Sequence, residues 1–211
     1  ARVLLFPTIR IEDPEDWTPL IDAAGAAGDF DWIVFTSVNG VDRFFCALRK
    51  AGGDARTLAS CRICAIGSAT AEVLEAHGIR ADLVPSRFTS KVLFEALNDA
   101  EDLRGKRILL PRADIAPPEL VEKLAAAGAE PTEVTAYRTL PGQPDEDVLE
   151  AFQTGDVDVV TFTSSSTARN YAAIVQAKIG GIPDGVTYIS IGPQTSRTAA
   201  DIGINVAAEA E

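Results

Sequence analysis

"AIGSATAEVLEAHGI", residues 65–79, and "SIGPQTSRTAADIGI", residues 190–204, are one phrase written twice. Ile66, Gly67, Thr70, Gly78 and Ile79 line up with Ile191, Gly192, Thr195, Gly203 and Ile204. Each copy reads as a strand end, a glycine turn, a polar cap, a helix and a terminal glycine. A second matched pair precedes them at a similar interval: "FTSVNG" at 35–40 and "FTSSST" at 162–167. Strand, Thr-Ser cap, helix, strand, Gly-x-x-Thr cap and helix, twice in the same order, predict two similar α/β domains.

The rest of the chain agrees with that alternation. Strands are expected at Arg2–Phe6, Trp32–Thr36, Arg62–Ile66, Ala81–Val84, Lys106–Leu110, Thr132–Thr139, Val157–Thr163, Thr187–Ile191 and near Ile204–Val206. "WIVF" and "RILL" are continuously apolar, as parallel strands covered on both faces should be. Val41, Phe44, Phe45 and Leu48 recur at helical spacing, as do Leu120 with Leu124 and Val148 with Phe152. Pro117 and Pro118 suit a helix's first turn, and Gly52, Gly78, Gly128 and Gly203 suit helix ends. The expected class is doubly wound α/β. "TEVTAYRTLPGQP", residues 132–144, alternates polar and apolar instead, as does "FPTIRIEDPE" at 6–15. Two such half-exposed segments are expected to pair as linkers between the domains and act as a hinge.

Composition narrows the function. The 211 residues carry a net charge of -12, which disfavours nucleic acid and anionic membranes as partners. No apolar run is long enough to cross a bilayer and no signal-peptide pattern is visible, so the expected location is cytoplasmic. Cys61 and Cys64 flank a strand in "CRICAI" and read as buried, inert thiols rather than a metal pair. The one histidine, His77, stands at a helix C-terminus, where it complements the dipole. With no ligand cluster, neither a metal nor a cofactor is expected.

Ligands of open α/β sheets bind beyond the carboxyl ends of the strands. All four repeated caps fall there: Thr36-Ser37, Gly67-Ser68-Ala69-Thr70, Thr163-Ser164-Ser165-Ser166 and Gly192-Pro193-Gln194-Thr195. One Ser or Thr cap is routine. Four in two matched pairs, expected to face one cleft, predict a large ligand with several anionic groups at its edge, met by hydroxyls and main-chain N–H groups. Some arginines should stand nearby; Arg87, with Lys91 beside it, Arg112 and Arg138 are candidates to meet carboxylates, with solvated or salt-bridged roles as the ordinary alternative.

"FTSVNGVDRFF", "AIGSATAEVLEAHGI", "VPSRFTSKVLFEAL", "ILLPRAD", "AEPTEVTAYRTL", "VTFTSSSTARNY" and "SIGPQTSRTAADIGI", in that order along nearly the whole chain, resemble the uroporphyrinogen-III synthase family. The resemblance implies two flavodoxin-like doubly wound parallel-sheet domains joined by a two-stranded β-ladder hinge. The bounds are then 12–131 for one domain, 1–6 with 141–211 for the other, and 7–11 with 132–140 for the ladder. It also implies a lyase that closes linear hydroxymethylbilane to uroporphyrinogen III, inverting the last pyrrole ring and losing water. That substrate is ringed by carboxylates, so its binding falls to Thr36, Ser37, Gly67, Ser68, Ala69, Thr70, Arg87, Thr163, Ser164, Ser165, Gly192, Gln194 and Thr195. Tyr137 matches the tyrosine proposed in the family to protonate the departing hydroxyl; a strand aromatic packing a domain on the ladder is the plain alternative. No cofactor is implied, a monomer is expected, and fusion to or cooperation with other tetrapyrrole-pathway enzymes stays open. The family usually opens with a further strand and helix and adds a final helix, so the second domain is expected to lack those pieces here, as part of a longer chain. A non-catalytic tetrapyrrole-binding regulatory domain of the same fold answers the same caps.

Overall fold

The computed structural model describes residues 2–87 and 89–210. Ala1 and Glu211, which close the expected second domain, and Phe88 lie outside them. The chain separates into two compact units, Ile11–Thr139 and Ala1–Arg10 with Leu140–Glu211. No helix among the described residues is long and apolar enough to cross a membrane.

A five-stranded sheet, most of it within Ile11–Thr139, contains β1 (Ile9–Glu12), β2 (Trp32–Phe35), β3 (Arg62–Ala65), β4 (Arg107–Ala113) and β5 (Glu130–Pro141), in the order β1-β5-β4-β2-β3. β2 runs parallel to both β3 and β4, and β4 parallel to β5. Along β2 the side chains alternate between two cores. Trp32 and Val34 enter one with Leu93, Leu97, Ile108, Leu110, Leu120 and Leu124, and Ile33 and Phe35 enter the other with Leu20, Phe44, Leu48 and Leu74. The helices α1 (Thr18–Gly25), α2 (Val38–Lys50) and α3 (Ser68–Ala76) cover the second face; α4 (Ser90–Ala100) and α5 (Glu119–Ala126) cover the first. A strand buried on both sides has no solvent face, which is why "WIVF" carries no polar residue. The one polar atom of Trp32, Nε1, donates to Glu101 Oε1 at 2.7 Å.

Two expected strands differ. Arg2–Phe6 forms none: Leu4 and Phe6 turn into the second unit's core while Val3 and Leu5 are 81% and 80% exposed, so the alternation is real but no ladder accompanies it. Ala81–Val84 shrinks to a single bridge from Leu83 to Cys64, because the Asp82 carboxylate takes the Ile63 N–H at 2.7 Å. β4 in turn runs past the expected end at Leu110. β2 pairs with it only as far as Leu109, so Pro111, which has no N–H to give, sits where one side of the strand has no ladder partner.

In the second unit β6 (Val159–Phe162), β7 (Thr187–Ser190) and β8 (Val206–Glu209) make a parallel sheet in the order β6-β7-β8. Val148 and Phe152 of α6 (Glu146–Thr154), Tyr171 and Val175 of α7 (Ser165–Ile179) and Ala199 of α8 (Pro193–Asp201) pack with Phe162 and Tyr188. Val160 and Phe162 face this core, whereas Val159 is 49% exposed and Thr161 is exposed. Among the described residues this sheet is therefore packed on one face, unlike the doubly covered first sheet.

Candidate functional site

In the unit Ile11–Thr139, the chain leaves β2 for α2 and β3, while β4 lies on β2's other side. The strand order thus reverses at β2, and such a reversal leaves a crevice at the strands' carboxyl ends. Ser37 stands there. As N-cap of α2 its Oγ accepts the Gly40 N–H at 3.0 Å. Gly40 is buried, and a Cβ on it would lie 2.8 Å from the Pro111 carbonyl oxygen. Glycine is what lets the first turn of α2 close on β4. The neighbouring turn is tied in by the Ile66 N–H, which donates to Phe35 O at 2.9 Å. The N-cap of α3 is Gly67, which has no side chain to offer, so the first N–H groups of α3, at the exposed Ser68 and Ala69, have no acceptor in the helix.

Tyr137 reaches Ser37 because of a bulge. Arg112 pairs with Thr135 but Ala113 with Tyr137, leaving Ala136 as the extra residue of β5. The alternation slips by one there, and Val134, Ala136 and Tyr137 all enter the same core. Tyr137 is 8% exposed, and its O–H donates to Ser37 Oγ at 3.0 Å.

The second unit repeats the plan. The Ile191 N–H donates to Phe162 O at 2.9 Å, the counterpart of the Ile66 bond. Ser164 Oγ accepts the Thr167 N–H at 3.1 Å as N-cap of α7, and Gly192 is the bare N-cap of α8. Ser165 Oγ donates to Gln194 O at 3.3 Å, joining the two first turns. Between them lies a cavity of about 500 Å³, lined by Thr163–Ser166, Ile191–Thr195 and Arg169. Ile191 is 57% exposed and gives the cavity an apolar wall. Arg169, exposed and without an ion-pair partner among the described residues, was not among the sequence candidates. Its signal, an arginine one turn after "SSS", is too common to have selected it.

The other candidates divide. Thr36 and Ser37 stand on the β2–α2 turn, and Thr163, Ser164, Ser165, Gly192, Gln194 and Thr195 all line the cavity. Thr70 and Thr195 are only 4% exposed, so their hydroxyls are largely turned inward. Arg87 is exposed on the loop before α4, which Thr89 caps by accepting the Val92 N–H. Arg138 is engaged by Glu12, Glu15 and the Asp13 carbonyl. Arg112 is buried, donating to Glu133 Oε1 at 3.1 Å and Pro117 O at 2.8 Å. Those two arginines hold the fold together. Burial pushes the Cys61 and Cys64 thiols up to about 11 and about 12, which leaves them unreactive. His77 caps the C-terminus of α3 and stacks on Phe45 at 4.2 Å.

The family model for uroporphyrinogen-III synthase HemD matches residues 1–211. The chain belongs to the uroporphyrinogen-III synthase family. A uroporphyrinogen-III synthase of Synechococcus elongatus is 34% identical over 220 residues, spanning 100% of this chain and 81% of that protein. One of Chlorobaculum parvum is 30% identical, spanning 96% and 80%. Among solved structures, a mutant uroporphyrinogen III synthase of Thermus thermophilus superposes with a TM-score of 0.64 at 23% identity, covering 99% of this chain and 82% of that one. The mixed α/β fold with parallel sheets is thus that of uroporphyrinogen-III synthases, and the chain is a cyclising lyase of tetrapyrrole synthesis.

Proposed function

We propose that the chain closes hydroxymethylbilane to uroporphyrinogen III, with inversion of the terminal pyrrole ring and loss of water, and that the turns around Ser37, Gly67, Ser164 and Gly192 hold the substrate's carboxylates. The observation that carries this is the repeated turn pair, each half fixed by one Ile N–H to Phe O bond at 2.9 Å and each ending in a bare glycine cap. Helix N–H groups attract anions without adding positive charge, which suits a protein of net charge -12. In the cavity of the second unit, Arg169 and Ile191 add a cation and an apolar surface, the pairing that a pyrrole with acidic side chains calls for. The same proposal includes the finer architecture: flavodoxin-like domains at 12–131 and at 1–6 with 141–211, and a hinge at 7–11 with 132–140.

The chemistry asks for little machinery. The bilane closes unaided to the uninverted isomer, so the enzyme's task is to fix the bilane's conformation while water departs, a matter of positioning and charge stabilisation. A proton for the leaving hydroxyl comes from the Tyr137–Ser37 pair. The test supplies freshly made hydroxymethylbilane, oxidises the products and separates the isomers by chromatography. Isomer III in excess over the enzyme-free control is expected; isomer I alone, at the spontaneous rate, would sink the proposal.

A further inference from the structure

We infer that Ser37 is the group that hands the proton to the departing hydroxyl, with Tyr137 acting through it as a positioning residue and proton reserve; this rests on the function proposed above. A serine hydroxyl has two acceptor sites and one donor. Both acceptor sites of Ser37 Oγ are filled, by the Tyr137 O–H at 3.0 Å and the Gly40 N–H at 3.0 Å. Its own O–H is what remains, and no described residue accepts it. Ser37 is half-buried, just past the carboxyl end of β2 where the strand order reverses, whereas Tyr137 is 8% exposed with its proton already given to serine. The tyrosine proton therefore reaches a ligand by way of Ser37.

The step balances without any further reagent. The Ser37 proton passes to the oxygen of the terminal hydroxymethyl group. The C–O bond breaks with its electron pair, water leaves, and the pyrrole ring carries the positive charge. As its own proton departs, Ser37 Oγ takes the Tyr137 proton, leaving a phenolate. After ring closure the attacked pyrrole carbon loses its proton, which returns through Ser37 to Tyr137. A phenol is a stronger acid than an aliphatic alcohol, so the relay brings phenol acidity to a position the buried ring does not occupy.

Single-turnover kinetics on the full chain with fresh hydroxymethylbilane test this. Ser37→Ala and Tyr137→Phe are each expected to slow the chemical step by about 10²–10⁴-fold with little change in KM. The double variant should be no slower than the worse single one, because both remove the same proton path. Ser37→Asn separates relay from fold: asparagine caps a helix as well as serine but has no acidic O–H, so normal melting with slow turnover is expected. Ser37→Thr, which keeps the hydroxyl, should restore most of the rate. If Ser37→Asn turns over like the wild type while Tyr137→Phe is slow, or if the two losses multiply, Tyr137 is the direct donor and the relay is wrong. A wild-type chain that makes no isomer III overturns the proposed function itself, a result distinguishable from either.

Discussion

Replacing Gly40 by alanine sets two known effects against each other. Alanine is favoured over glycine inside a helix by about 1 kcal/mol, so on propensity alone the variant gains stability. The structure opposes it. The new Cβ would stand 2.8 Å from Pro111 O and 3.3 Å from Ser37 Oγ, and Pro111 O belongs to a strand backbone that cannot swing aside. Carbon-to-oxygen contacts ordinarily settle at about 3.3–3.6 Å, so the first turn of α2 must back away from β4 by roughly half an ångström. Overfilling a packed site costs about 1–3 kcal/mol, which exceeds the helical gain over most of its range. The net expectation is a loss of about 1 kcal/mol, or about 2–4 °C in Tm for a chain of this size. Gly181→Ala is the control, since its Cβ would meet nothing within 4 Å and its backbone is not left-handed; it should melt as the wild type does or slightly higher. Thermal melts of the two variants side by side decide the matter. Gly40→Ala melting at or above the wild type would refute the close seating of α2 on β4. Turnover should fall further than stability in Gly40→Ala, because the displaced N–H is one of the two donors that orient Ser37.

Three other outcomes are expected. Glu101 accepts from Trp32 Nε1 and Arg62 and pairs with Lys106, whose hydrogen bond does most to hold its carboxyl below the ordinary 4.5. A lowered folded-state value means stability present above about pH 4.5 and lost as the pH falls below it, so Glu101→Gln should flatten the fall of Tm over that acid window; an unchanged slope would count against the Lys106 pairing. Glu133→Ala leaves the Arg112 guanidinium buried and short of a partner, whereas Arg112→Met removes the buried charge, so denaturant midpoints should fall further for the glutamate variant; the reverse order would mean that water reaches Arg112. Arg169→Ala is expected to raise KM about 10–100-fold with kcat little changed, as a charged hydrogen bond of about 1.5–3 kcal/mol would; an unchanged KM removes Arg169 from carboxylate binding.

The caps were legible because capping is local chemistry. Ser37 and Ser164 accept the N–H three residues on, Thr89 does the same, and Gly52, Gly78, Gly128 and Gly203 all take the left-handed conformation after helices. The doubly covered strand "WIVF" was legible for a similar reason, since two-sided burial leaves no place for a polar residue. What failed depended on partners distant in the chain. The alternation of Leu4 and Phe6 with Val3 and Leu5 reports which way side chains face, not whether a neighbour supplies a ladder. The extension of β4 through Pro111 depended on where β2 stops pairing. The sharpest case is Tyr137: strict alternation from Val134 and Ala136 would turn it to the other face, and only the bulge opposite Arg112 and Ala113 brings its hydroxyl to Ser37.

The twofold phrase itself takes on a different weight once its threonines are placed. Thr70 and Thr195 recur because the same buried spot recurs under each helix, with 4% exposure in both copies. What each copy turns outward is backbone: a glycine N-cap, fixed by the same Ile to Phe hydrogen bond, with the first-turn N–H groups of Ser68 and Ala69 behind it in one copy and that of Gln194 in the other, where Pro193 has none to give. The side chains added around that frame differ. One copy has Ser37 backed by Tyr137; in the other the equivalent Ser164 side chain meets, among the described residues, only Ser166 and Thr167, and Arg169 and Ile191 line a cavity instead. A ligand with many carboxylates and a single reacting end fits that division, since any carboxylate can be met by a repeated N–H frame but the proton is needed at only one place. In the function proposed above, the asymmetry between Ser37 and Ser164 is the part of the repeat assigned to chemistry, and the symmetry is the part assigned to binding.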